Sequence, residues 1–391
     1  MQIVNDPPLE DIEKPENSRF AVFPLQHQAM FDHYKKQEDN FWTDSEISRD
    51  LMQDPKDRAR VTPGERRLFD RRQTFFAIGD GVVVEILVRK LLKRIQILEV
   101  RMVLIYQTMM EQIHGITYSK IIDTAVTDAK EKNKLFNAAT EDPITMKRVA
   151  WIQSMIHADN DLHELDEKDI KIIRNLIISK NGVLKALHPN EDIDKYKTKD
   201  ELEFEKKAFT PKPPLAKLIA LNAIIEGVFF SGSFLAVEWF GQKGLFPGAH
   251  KANKKIREDE GMHVNTSSLI TKHFIKHKLP IEEIYEMMDV AVDIEIDSIA
   301  EDLPEGLTGM QPGHFEQYVK FQADYVLKKL GYKPKYNCPN PFPFMVMHSI
   351  DMDSDDFFKT EVVDYSRKAG NAEDSKVEIN LESSSDSDTS E

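Results

Sequence analysis

Between Leu218 and Val237 the chain reads LIALNAIIEGVFFSGSFLAV, twenty residues with a single charge, Glu226. A helix of that composition has no polar face to turn to water. It must either cross a bilayer or fill the centre of a large helical bundle. A lone span would leave Glu226 in lipid without a partner, which is costly. The stretch is therefore read as the buried core helix of an all-α protein, with no membrane role. A carboxylate in that position needs a cation or a hydrogen-bond donor to offset its burial.

Three other places carry acidic groups in apolar surroundings. Asp80 sits in Phe75-Phe76-Ala77-Ile78-Gly79-Asp80-Gly81-Val82, and Glu111-Gln112-Ile113-His114 lies among Met109, Met110, Ile113 and Ile116. Glu260-Gly261-Met262-His263 repeats the Glu-x-x-His spacing. Residues three apart share one face of a helix, so each Glu and His pair can reach one metal ion. With 12 histidines and 67 acidic residues in 391 positions, one or two such pairs arise by chance, and context has to decide. Asp80, Glu111, His114, Glu226, Glu260 and His263 supply four carboxylates and two imidazoles. That is the inward-facing donor set of a di-metal helical bundle, and its oxygen and nitrogen ligands suit iron or manganese. Tyr118 follows His114 by one helical turn on the same face. It reads either as a core tyrosine with a bonded hydroxyl or as a redox-active phenol beside the metals.

The wider composition agrees with a large intracellular bundle. Net charge is −15, which argues against nucleic acid or an anionic membrane as partner. One cysteine, Cys338, permits no intramolecular disulfide, and the N-terminus carries no secretory pattern, so a cytoplasmic location is expected. Helical patterns are expected near 26–38, from Pro63 to about Lys93, over roughly 99–128, from 215 to about 241–244, over 249–278, and near 281–301 and 313–330. Thr43 or Asp44 can cap a short helix. Residues 1–25 read as an irregular arm, 26–345 as the helical domain, and 346–391 as a flexible acidic tail.

At these residues the chain resembles the small, radical-generating subunit of class I ribonucleotide reductase. Phe41-Trp42-Thr43, the Phe75–Gly81 segment, Met110–His114 with Tyr118-Ser119, Ile122-Asp123-Thr124, Glu226–Phe234, Gly244–Gly248, Asp259–His263 and Asn340-Pro341-Phe342 carry the resemblance, which extends over nearly the whole chain. It implies a ferritin-like bundle holding two iron ions, oxo-bridged when oxidised, with manganese as an alternative, and a stable radical on Tyr118. By similarity Asp80, Glu111 and His114 hold the metal nearer the tyrosine and Glu226, Glu260 and His263 mainly hold the other, with Glu111 and either Glu226 or Glu260 bridging. Phe230, Phe234 and Ile256 match the apolar wall around the radical. Trp42, Asp259 and Tyr365 match the residues that pass the oxidation to a large subunit, which reduces ribonucleotides to deoxyribonucleotides for DNA replication. A homodimer of small subunits is also implied.

Three departures accompany the match. The His114 to Glu226 interval is long, and the surplus, about 155–207, reads as a surface insertion. Glu258 stands where the family usually has arginine, with Arg257 one step back on another face. The tail ends in a Ser/Asp-rich run; from Asn371 it holds seven acidic residues and one lysine. Such a segment is disordered alone. Val377, Ile379 and Leu381 are its docking anchors on this reading, and the serines are candidates for phosphorylation. A sister ferritin-like di-metal oxidase acting directly on a small molecule or lipid is the alternative function; it needs the same cage but not Trp42, Asp259 and Tyr365 together.

Overall fold

The computed structural model describes residues 7–137, 142–157, 162, 165, 167–300 and 310–348. Some of the helices of this region begin where side chains satisfy their first amides. Helix α1 spans Gln28–Asp39, and α2 is the short Asp54–Arg60. Helix α3, Pro63–Ile86, opens on a capping box: the Thr62 hydroxyl accepts from the Glu65 amide, and the Glu65 carboxylate accepts from the Thr62 amide. Pro63 at the first helical position loses no hydrogen bond there. The helix continues through a π turn at Leu87–Leu91 to Arg94. Helix α4, Leu98–Ala125, carries the first Glu-x-x-His pair. Thr43, rather than Asp44, caps the short turn Asp44–Ile47, again with a capping box to Glu46.

Helices α5 (Ala129–Asn137), α6 (Pro143–His157), α7 (Glu167–Leu187) and α8 (Lys199–Phe209) fill the long interval between the two halves of the bundle. Within this interval α7 and α8 pack on each other, with Arg174 donating to the Ala208 carbonyl at 2.7 Å. Helix α9, Leu215–Gln242, holds the apolar run, and 94% of its most apolar window is buried within the protein. The run is a core helix, as its composition and lone charge predict. Gly244, at φ +70, ends it.

Helix α10, Pro247–Phe274, carries the second pair. Carboxylates from α2 satisfy its first turn: Asp54 accepts from Gly248 and Ala249 at 3.0 and 2.9 Å, and Asp57 accepts from the Phe246 amide at 2.8 Å. Gly248 is required, because a Cβ there would lie 2.6 Å from the Leu51 backbone. Helices α11 (Ile281–Ala300) and α12 (Pro312–Lys329) complete the bundle, and no strand occurs among the described residues.

The N-terminal arm is tied down more firmly than its proline and charge content suggests. Ile12 is fully buried. Glu10 accepts from the Lys276 and His277 amides, at 3.0 and 2.7 Å, just past the end of α10.

Candidate metal centre

Four helices deliver the six candidate ligands to one buried place: Asp80 from α3, Glu111 and His114 from α4, Glu226 from α9, and Glu260 and His263 from α10. None is more than 2% exposed. Their donor atoms fall into two groups, each within 4.8 Å: Asp80, Glu111, His114 and Glu260; and Glu111, Glu226, Glu260 and His263. Glu111 and Glu260 belong to both groups, whereas Glu226 belongs to one.

Glu226 lies in a π turn, Ile225–Phe229, inside α9. Five residues rather than four span that turn, a distortion common where a helix must aim a functional group. The amide of Gln107, one turn before Glu111, donates to Glu226 Oε1 at 2.8 Å. His263 Nδ1 lies 2.7 Å from Glu260 and 3.0 Å from Glu111. His114 Nδ1 lies 3.1 Å from Glu260 Oε1, yet neither atom makes a hydrogen bond.

Both oxygens of Asp80, Oε2 of Glu111, Oε2 of Glu226, Oε1 of Glu260 and Nδ1 of His114 are buried without hydrogen-bond partners. Such atoms are rare in a folded protein unless something else satisfies them. Burial, with Glu111 adding to it, raises the Asp80 and Glu226 carboxyls well above the carboxylate range. Burial opposes charge on His263 too, but Glu111 and Glu260 outweigh it and lift the imidazole to about 10. His114 also rises well above its usual value, because Asp259, Glu111 and Glu260 overcome its burial. The cluster draws in positive charge from every available source, as a site for two divalent cations does. The donor set fits such ions without a missing ligand.

His114 turns its other nitrogen, Nε2, to Asp259 Oδ2 at 2.9 Å, and the Trp42 indole donates to the same oxygen at 2.7 Å. Trp42 also stacks against the His114 ring, with centroids 5.9 Å apart and planes at 17°. Asn40 donates to Asp259 Oδ1 at 3.0 Å. Arg257 points elsewhere, to Glu238 at 3.4 Å and the Met345 sulfur at 3.0 Å.

Tyr118 is 1% exposed and its hydroxyl has no hydrogen-bond partner. Burial, reinforced by Asp80, pushes the phenol well above its usual value, so it stays protonated. Phe76 stacks directly on it at 4.4 Å and 7°, with Phe234 and Phe230 4.9 and 5.8 Å beyond Phe76. Gly79 admits Phe230, whose Cε1 would be 2.5 Å from a Cβ at that position. Ile256, one turn before Glu260, is fully buried. Tyr365 and the tail from Ser349 lie outside the described residues.

Asn40, Gln107 and Phe76 are absent from the expected site residues. Phe76 had a signal, being one turn before Asp80; Asn40 and Gln107 had none short of the fold. Met109 and Ile116, expected to bury Glu111 and His114, are instead 41% and 49% exposed. The burial comes instead from helices packed on other faces of α4, α3 and α10 among them.

Fold and site together define a ferritin-like helical protein with a buried carboxylate–histidine centre. The family "Ribonucleotide reductase, small chain" matches residues 19–341. The chain is 32% identical over 359 residues to the ribonucleoside-diphosphate reductase small chain of vaccinia virus (strain Ankara), covering 92% of this chain and 95% of that one. It is 30% identical over 358 residues to a ribonucleoside-diphosphate reductase small chain of Arabidopsis thaliana, covering 92% and 88%. Among solved structures, the ribonucleotide reductase Rnr4 homodimer from Saccharomyces cerevisiae superposes with a TM-score of 0.66 at 24% identity, over 91% of this chain and 93% of that chain. The dimanganese(II)-NrdF of Streptococcus sanguinis gives 0.60 at 15% identity, over 85% and 99%. The chain belongs to the ribonucleotide reductase small-chain family. It is the small subunit of an oxidoreductase.

Proposed function

We propose that this small subunit binds two iron ions through Asp80, Glu111, His114, Glu226, Glu260 and His263, and carries a stable radical on Tyr118. When bound, the ions supply the one-electron oxidising power drawn from O2. The protein's own part is to hold the phenol dry and to offer one way out. The observation that carries this reading is the Tyr118 hydroxyl, buried and unpartnered one turn from His114, with Phe76 flat against its ring. A structural tyrosine in such a place ordinarily finds a hydrogen-bond partner. An apolar wall instead excludes the water and reductants that quench a radical.

The exit on this reading is His114, Asp259 and Trp42, joined by hydrogen bonds of 2.9 and 2.7 Å, and then Tyr365. The acceptor is a large subunit, where ribonucleotides are reduced to deoxyribonucleotides. We assign Phe230, Phe234 and Ile256 to the protecting wall, 346–391 to large-subunit docking, and 155–207 to a surface insertion. By analogy with the yeast Rnr4 homodimer the subunit pairs with itself. Its single cysteine and −15 charge suit the cytoplasm.

The test is to load metal-free protein with Fe(II) under argon, admit O2, and record the electron paramagnetic resonance spectrum beside Tyr118→Phe. A tyrosyl signal in the first and none in the second supports the assignment. Iron uptake and O2 consumption without a radical refutes it and turns attention to manganese, the metal in the name of the Streptococcus sanguinis relative.

A further inference from the structure

A cavity of about 650 Å3 lies where the first half of α3 faces α5 and the start of α6, sharing no residue with the metal centre. Its charge runs against that of the chain. Six basic side chains and three carboxylates line it, in a protein of net charge −15. Each of the three carboxylates is already committed. Asp70 and Glu131 both pair with Arg58, at 2.6 and 2.7 Å, and Asp142 pairs with Arg71 while accepting from the Thr145 amide and hydroxyl.

Three of the cations have no carboxylate among the described residues. Arg66 donates only to the carbonyls of Arg58 and Ala59. Arg67 and Lys134, both exposed, pair with nothing among the described residues. Deeper in the cavity the Thr74 hydroxyl, 4% exposed, has no hydrogen-bond partner. Phe75, with the Arg148 guanidinium 4.0 Å over its ring, and Leu135 give the cavity an apolar wall.

We propose that this cavity is a binding site for the phosphate group of a small molecule. Guanidinium forks match phosphate oxygens in pairs, and an ammonium adds a mobile point charge. The buried hydroxyl gives the anion a neutral donor. The volume is that of a small-molecule site, enough for a nucleotide as well as for inorganic phosphates. The apolar wall suits a nucleotide base, while the charges act on the phosphate whichever molecule carries it.

Isothermal titration of the metal-loaded, full-length subunit tests this with two probes, inorganic pyrophosphate and ATP. Iron content is assayed before and after, so that chelation is not mistaken for binding. Saturable binding is expected for pyrophosphate, falling as salt is raised, and weakened about tenfold or more in Arg67→Ser/Lys134→Ser. Both substitutions are on the surface and leave the metal centre untouched. Thr74→Val removes a hydroxyl unpaired in the fold, so it is expected to weaken binding without lowering Tm. ATP binding tighter than pyrophosphate assigns the site to nucleotides, and equal affinities assign it to phosphate alone. No saturable binding of either probe, or undiminished binding in the double variant, overturns the proposal.

Discussion

Asn40 holds the oxygen of Asp259 that Trp42 and His114 leave free. Its amide donates to Oδ1 at 3.0 Å, while the indole and the imidazole share Oδ2. Three donors thus fix one buried carboxylate, 2% exposed, and the Asn40 contact sets the rotation of its plane. Asn40→Ala is expected to leave the Tyr118 radical intact but to lower turnover with the large subunit on the order of tenfold, the effect of losing one hydrogen bond to a charged group. Turnover is compared at matched radical content, and an unchanged rate removes Asn40 from the pathway.

Gly79 is the second point of leverage. A methyl group there meets Phe230 at 2.5 Å, and Phe230 abuts the Phe76 ring that covers Tyr118. Gly79→Ala is expected to cost roughly 1–3 kcal/mol through overpacking and to shorten the radical's life by opening the wall. Decay of the paramagnetic signal in the presence of a small water-soluble reductant reads the second effect, and Tm reads the first.

The sharing of Glu111 and Glu260 between the two donor groups makes the ligands unequal. Glu111→Ala is expected to abolish loading of both ions, whereas Asp80→Ala should weaken one and spare the other. Elemental analysis of metal per chain distinguishes the two variants. Equal losses would show that the ions bind independently of the shared carboxylate.

His33 is expected to make the fold sensitive to acid; it is buried beside Thr266 with its ring nitrogen 2.9 Å from the hydroxyl. Burial lowers its imidazole to about 4, while the unfolded chain takes up the proton near pH 6.5. Between those values the unfolded state binds more protons, so stability falls as pH falls, by on the order of 3 kcal/mol across the window. His33→Gln should show a smaller drop in Tm between pH 7 and pH 4.5 than the parent protein. An equal drop places the acid sensitivity in other groups.

The residues whose placement follows from local spacing are legible in the sequence alone. The Glu-x-x-His pairs, the lone charge of the apolar run, and the Pro63 and Gly244 boundaries depend on one helix at a time. Asn40 and Gln107 act across 219 and 119 residues of sequence separation, and nothing in their neighbourhoods marks them. The sidedness of α4 was misjudged for a related reason. Met109 and Ile116 are apolar, but which face of a largely apolar helix turns inward is set by the helices packed against it. The Ile225–Phe229 turn was equally silent, since its residues are good α-helix neighbours and only the needs of Glu226 favour the wider loop.

That wider turn makes α9 sensitive to counting as well as to chemistry. One extra residue is accommodated between Glu226 and Phe230, so the helix on either side is out of phase by about a hundred degrees relative to an unbroken α-helix. Deleting a single residue there, Val228 for instance, would let the helix relax to ordinary pitch. Glu226 and the phenylalanines after it could then no longer face their partners at once, although each of those side chains was still present. Substitutions in this segment trade one contact for another, but a change of length sets the two halves of the core against each other.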